Sequence, residues 1–147
     1  MNGIVSAFSG FPFTVASGVD NARVGTTSGQ RGDIIGDPYF EGERSKAEQI
    51  QEWLRKSAFQ QNALGTFGTL GRNTFRGPNF ITVDTGLFKR FAFTESIAAT
   101  IRFEAFNVLN RTNLNGPNAS ISSGADFMRT TSARDPRILQ LAARLTW

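Results

Sequence analysis

The chain contains no cysteine and no histidine. Without cysteine there is no disulfide framework and no thiol chemistry. Without histidine the usual general base of enzymes and the commonest transition-metal ligand are missing. No apolar run is long enough for a membrane helix, which needs about 20 residues. Lysine and arginine are spread out and the formal charge is only +4, so a nucleic-acid partner is not expected. The opening Met1-Asn2-Gly3-Ile4-Val5 lacks the charged segment and apolar core of a secretory signal. What is plentiful is phenylalanine, 14 against a single tyrosine, together with 15 glycines and many Asn, Ser and Thr. That mixture suits β-strands separated by turns, and 147 residues allow one ordinary domain.

The strongest pattern runs from Ile81 to Leu109. Ile81, Val83, Thr85, Leu87, Lys89, Phe91 and Phe93 occupy the odd positions, with Thr82, Asp84, Gly86 and Arg90 among the even ones. After Thr94-Glu95-Ser96 the odd positions are Ile97, Ala99, Ile101, Phe103, Ala105, Asn107 and Leu109, and the even ones carry Thr100, Arg102 and Glu104. Side chains alternate across a strand, so each strand has one nearly apolar and one charged face. A three-residue turn places Phe93 opposite Ile97, Phe91 opposite Ala99 and Leu87 opposite Phe103, which keeps the apolar sets together. The end of the chain repeats the pattern, with Leu139, Leu141, Ala143, Leu145 and Trp147 alternating against Gln140, Ala142, Arg144 and Thr146.

Two architectures fit such strands. In a soluble sandwich the apolar face is inside and the charged face is in water. In an outer-membrane barrel the apolar face meets lipid and the polar face lines a lumen. Soluble strands usually run about 5–6 residues, whereas a tilted membrane-spanning strand needs roughly 9–11. A strand of about eleven residues at about 3.3 Å each, tilted by about 40°, rises roughly 28 Å, close to an apolar band of about 25 Å. Aromatic residues favour the membrane interface, and a terminal one preceded by alternating apolar positions resembles the assembly signal that ends outer-membrane barrels. Lys89 falls on the apolar face, four residues from the turn, within snorkelling reach of head groups.

The rest of the chain reads as turns and one helix. Asn2–Ser9 alternates as a strand, and Pro12 marks a strand end or rim because it cannot donate to a ladder. Ala16–Pro38 is rich in Gly, Ser, Thr, Asn and Asp without period and reads as loop. Ser45-Lys46-Ala47-Glu48 fits a capping box. Ala47, Ile50, Trp53 and Leu54 follow at helical spacing, and Glu52 and Lys56 stand at i, i+4. A helix over about 46–56 follows. Gly65–Pro78 lacks the Gly-Lys-Ser/Thr ending of a phosphate cradle and reads as a turn-rich loop whose Arg72 and Arg76 pair with acids or carbonyls. Asp84 and Glu104 are carboxylates without a partner at catalytic spacing, so no enzyme is expected. No catalytic, metal or cofactor site emerges.

Several runs together resemble a known family: Ser-Gly-Phe-Pro-Phe-Thr (9–14), Gly-Arg-Asn-Thr-Phe-Arg-Gly-Pro (71–78), Asp84 with Leu87-Phe88-Lys89, Arg-Phe-Glu-Ala-Phe-Asn-Val-Leu-Asn (102–110) and Arg-Asp-Pro-Arg (134–137). Their order resembles the C-terminal end of TonB-dependent outer-membrane receptors of the carboxypeptidase-regulatory-domain-bearing type. The resemblance implies an all-β antiparallel meander of about four long strands, part of a transmembrane barrel that has about 22 in that family. Strands are expected over 2–9, 80–93, 97–110 and 137–147, with long extracellular loops over 16–79 and 111–136 and a periplasmic turn at Thr94–Ser96. It also implies a bacterial outer-membrane location and energy-coupled uptake of a bulky nutrient, a glycan or a metal chelate. Asp84, Arg90, Arg102, Glu104 and Arg144 would line the lumen, pairing with one another or with a plug domain. Leu139, Leu141, Ala143, Leu145 and Trp147 would be the assembly signal. Implied partners are outer-membrane lipid, the remaining barrel and plug, the barrel-assembly machinery and, in a full-length receptor, the TonB energy-coupling complex. The plug and most strands of such a receptor are not among these residues, so the sequence is expected to be a piece of something longer. The alternative is a soluble all-β binding or adhesion module whose loops form the binding surface.

Overall fold

A computed structural model describes residues 1–147. In chain order the elements are β1 (Asn2–Phe8), β2 (Pro12–Phe13), β3 (Asp33–Ile34), α1 (Lys46–Gln51), a 3-10 turn (Lys56–Ala58), β4 (Phe59–Gln60), β5 (Phe75–Arg76), β6 (Phe80–Ala92), β7 (Ala98–Phe106), a second 3-10 segment (Ile121–Asp126) and β8 (Ile138–Thr146). The fold is all-β, with one four-stranded antiparallel sheet, two two-stranded ones and short helical turns. The chain divides into two compact units. One comprises Met1–Phe8, Asn79–Asn113 and Arg134–Trp147, and the other Ser9–Pro78 and Leu114–Ala133.

The first unit is the sheet β1-β6-β7-β8, a meander of the four long strands. Leu87 faces Phe103 and Phe91 faces Ala99 across β6 and β7. The turn closes through Phe93 N donating to Ile97 O at 2.9 Å, while the Thr94 hydroxyl accepts from Ile97 N at 2.9 Å. On β8, Leu141 faces Phe103 and Leu145 faces Ala99. On β1, Val5 faces Val83 and Ala7 faces Ile81. Every pairing therefore joins odd residues to odd, which gathers one parity on each side of the sheet. Leu87, Phe103 and Leu141 are 48%, 38% and 73% exposed, so no second layer packs on the odd side.

The strand expected over 97–110 stops at Phe106. Asn107 and Asn110 take left-handed backbone, φ 50° and 48°, a region that asparagine tolerates better than most residues. This leaves the start of β6 paired with β1 but without a strand on its β7 side, and buried backbone groups need partners. Side chains supply them. Asn113 accepts from Ile81 N at 3.0 Å through Oδ1 and donates to Ile81 O at 2.9 Å through Nδ2. Val108 N adds a 2.8 Å bond to Val83 O, and Asn107 Nδ2 donates to Arg111 O at 3.0 Å.

The segments read as long loops, 16–79 and 111–136, supply most of the second unit. Ala16 bridges to Arg31 and Ser120, β3 pairs with β4 and β2 with β5. Val15, Leu54, Phe59, Leu70, Phe75, Phe127 and Met128 form a buried cluster. Phe59 sits at its centre, edge-on to Phe75 at 5.4 Å and to Phe127 at 5.7 Å between ring centroids. Close backbone packing requires glycine at Gly10, whose φ is 98° and where a Cβ would collide with the Gly77 carbonyl.

The helix begins as its box dictates. Ser45 Oγ accepts from Glu48 N at 3.3 Å, and Glu48 Oε2 accepts from Ser45 N at 2.8 Å. It ends at Gln51 rather than continuing to 56, because Trp53 N donates to Met128 O at 2.8 Å and draws the chain out of helical geometry. The expected Glu52–Lys56 pair is replaced accordingly. Glu52 Oε1 accepts from the Lys56 backbone N at 2.6 Å, while Lys56 Nζ donates to Ala125 O at 2.9 Å.

Two outcomes are expected. The Ser45 hydroxyl and backbone N–H hold the Glu48 carboxyl below its ordinary value of 4.5. A carboxyl depressed in the folded state stabilises above its unfolded value, and that contribution is lost as pH falls through the folded one. The Cα chemical shifts of Ala47–Gln51 should therefore move toward coil values below pH 4.5 in the wild type and not in Glu48→Gln. Phe59→Ala should destabilise the second unit by about 3–5 kcal/mol, measured as a lower urea midpoint of Trp53 fluorescence.

Candidate functional site

The charged residues singled out in the sequence all stand on the even side of the sheet, but in three separate groups. Arg102 Nη2 and Glu104 Oε1 form an ion pair at 2.8 Å, two residues apart on β7. Arg90 faces Thr100, and Thr100 faces Arg144. The two guanidinium groups thus flank one threonine from strands roughly 10 Å apart, and neither makes an ion pair. Asp84 lies further along β6. Its Oδ1 accepts from Asn107 N at 2.9 Å and from Thr82 Oγ1 at 3.1 Å, so it serves the end of β7 and contacts no arginine.

The even side also carries apolar residues that alternation of charge did not reveal. Phe88 faces Arg102. Phe8 faces Phe80, with ring centroids 5.9 Å apart, and Phe106 faces Ile138. Phe8, Phe80, Phe106 and Ile138 cluster where both long connections leave the sheet, opposite the Thr94–Ser96 turn, whereas Phe88 lies within β6. The Arg134 guanidinium lies 4.8 Å from the Phe80 ring centroid, an attractive cation–π geometry. Phe80, Asp84, Asn113 and Arg134 line a cavity of about 340 Å³ on this side. The signal was present in the even parity of the four apolar residues, although they sit at strand ends where the pattern is shortest.

The odd side is apolar over all four strands apart from Thr85 and Lys89. Lys89 Nζ lies 6.0 Å from the Phe91 ring centroid. Leu139, Leu141, Ala143 and Leu145 face Ala105, Phe103, Ile101 and Ala99 of β7. Trp147 follows the last strand and is 86% exposed. β1 and β8 each pair on one edge only, which leaves two open edges.

The second unit holds its own open cleft of about 540 Å³. Tyr39, Glu43, Arg44, Gln49, Trp53 and Arg76 line it. The Arg44 guanidinium stacks 3.8 Å from the Phe40 ring centroid and donates to Glu48 O at 2.9 Å. Sequence periodicity marked Trp53 only as a packing residue of the helix. Its indole Nε1 donates to Arg76 O at 2.9 Å, which fixes the ring beside the cleft. Tyr39 and Arg76 come from turn-rich stretches without period, so nothing local in the sequence brings them together.

No three Asp, Glu, His or Cys residues gather where they could hold a metal ion. Among known proteins, residues 1–140 match the family model described as an outer membrane beta barrel domain. No curated protein and no solved structure matches the chain. Since the match spans 140 of the 147 residues, the chain belongs to the outer membrane β-barrel domain family and its place is the outer membrane.

Proposed function

We propose that the chain is the C-terminal barrel portion of a TonB-dependent outer-membrane receptor, which takes up a bulky nutrient such as a glycan or a metal chelate under energy coupling. The observation that carries this reading is the single parity of the sheet: across four strands every odd residue shares one nearly apolar side, and the last of the series is Trp147. Exposed apolar area of that extent needs a covering, and acyl chains supply it without a second protein layer. The odd side then faces lipid, and Asp84, Arg90, Arg102, Glu104 and Arg144 face the lumen. Arg90 and Arg144, without acidic partners of their own, are available to acidic groups of a plug. The open edges of β1 and β8 take the remaining strands, because unpaired backbone is untenable in lipid. Leu139, Leu141, Ala143, Leu145 and Trp147 form the signal read by the barrel-assembly machinery. The three-residue turn lies at the periplasmic end and the two long connections at the extracellular end, the asymmetry common to such barrels.

A second reading, an all-β binding or adhesion module, is favoured by the compact second unit with its own core and cleft. In that case the connections carry the function and the sheet only presents them.

The absence of cysteine makes the test direct. Single cysteines at Leu87, Phe103 and Leu141, and at Phe88, Arg102 and Ala142, are labelled with a fluorophore in outer membranes. Nitroxide lipids should quench the odd labels several-fold more than the even ones, and aqueous iodide should do the reverse. Equal iodide quenching on both sides would sink the barrel reading. Cross-linking in cells should recover the energy-coupling protein with the polypeptide that bears this chain. Its absence, with the labelling pattern intact, would leave an uncoupled barrel and overturn the transporter reading.

A further inference from the structure

The cleft of the second unit carries an inference that does not depend on transport. We propose that it is a saccharide-binding site, in which Tyr39 and Trp53 provide the ring faces and Glu43, Gln49 and Arg76 the hydrogen-bonding rim.

A pyranose ring presents two kinds of surface. Its C–H bonds form a weakly positive apolar face, and its hydroxyls, each a donor and an acceptor, form the edge. A matching site needs an aromatic π-face, which is electron-rich, bordered by acceptors as well as donors. Both are present here. Tyr39 is 57% exposed, and its hydroxyl has no protein partner. Its ring rests on the buried Phe75, 6.4 Å between centroids, which holds the platform in place. Trp53 is anchored through its indole N–H to Arg76 O, so its orientation does not depend on a ligand. Fixed rings lower the ordering cost of binding.

The polar rim is free to bind in the same sense. The Glu43 carboxylate makes no hydrogen bond or ion pair. Gln49 uses its Nε2 on Arg44 O at 2.9 Å, which leaves its carbonyl oxygen as an acceptor. Arg76 spends one Nη1 hydrogen bond on Gly10 O at 3.2 Å and retains other donors. At about 540 Å³ the cleft falls within the range of small-molecule sites, about 300–1,000 Å³.

Arg44, the most enclosed cation of the cleft, is committed to Phe40 and to the carbonyls of Glu48 and Trp53. Glu43 supplies an acceptor at the rim and Arg76 supplies donors, so sugar hydroxyls can donate to the one and accept from the other.

Trp53 also reports the outcome. In Trp147→Phe, which keeps a terminal aromatic residue, it is the remaining tryptophan. The full chain in a detergent without a sugar head group is titrated with maltohexaose, cellohexaose and xylohexaose, and separately with a ferric tris-catecholate. At least one hexaose should shift Trp53 emission saturably. Tyr39→Ala should weaken the responding hexaose about tenfold or more, and Tyr39→Phe and Glu43→Gln several-fold, with far-UV circular dichroism unchanged. Tyr39→Ala also removes the ring contact with Phe75, so its urea midpoint is measured beside its affinity, while Tyr39→Phe keeps that contact and Glu43→Gln touches no core residue. The proposal is overturned if no hexaose shifts the emission, if the chelate alone does, or if the shift survives Tyr39→Ala. A null titration leaves the odd and even labelling pattern untouched, which separates failure of this site from failure of the barrel reading.

Discussion

In a β-strand the side-chain period is two, so the parity of a residue number decides which side it occupies. Here three successive pairings all match odd with odd, and parity becomes a property of the whole sheet. A slip of one residue between β7 and β8 would move Leu141 and Leu145 to the charged side and put Arg144 against Ala99 or Ile101. The continuous apolar side, the ionic side and the alignment of the terminal strand all follow from that match. Lys89 is the single charge against the pattern. In a lipid setting its cost is about 2–4 kcal/mol at the midplane but roughly 0–1 near the interface, and its place near the turn, beside the Phe91 ring, is where that cost is least.

The sheet was the legible part. A minimal turn between two alternating runs leaves one sensible register, and the terminal strand follows from its own alternation. The capping box was legible too, because Ser45 and Glu48 interact within one turn. Other features depend on residues far apart in the chain. Val15, Phe59, Phe75 and Phe127 make one core only once both connections have folded back, and no window of sequence contains that period. The helix shortens because Met128, more than seventy residues later, accepts from Trp53. Of the charged residues, their common side was readable from parity. The Arg90–Thr100–Arg144 row and the solitary Asp84 were not, since they depend on cross-strand register and on Asn107, whereas Arg102 and Glu104 pair along one strand.

The end of β7 shows how the sheet tolerates strands of unequal length. β6 begins six residues before Gly86, the partner of Glu104, whereas β7 continues only two residues beyond Glu104. The exposed ladder is completed by asparagine amides, with Asn113 copying the donor–acceptor pattern of a backbone residue against Ile81. Asp84 takes part by receiving Asn107 N. Its carboxylate therefore belongs to the closure of the strand, which sets it apart from the other charged residues of its side.

The three-residue turn has a kinetic consequence. Hairpins form in about 1–10 μs, and β6 with β7 needs only a short loop closed before its contacts begin to accumulate. The core around Phe59 must instead unite segments separated by many tens of residues, as the bond from Lys56 to Ala125 illustrates. Such distant encounters are slow. Loop closure therefore costs the ribbon from Phe80 to Phe106 less entropy than the core of the cleft-bearing unit.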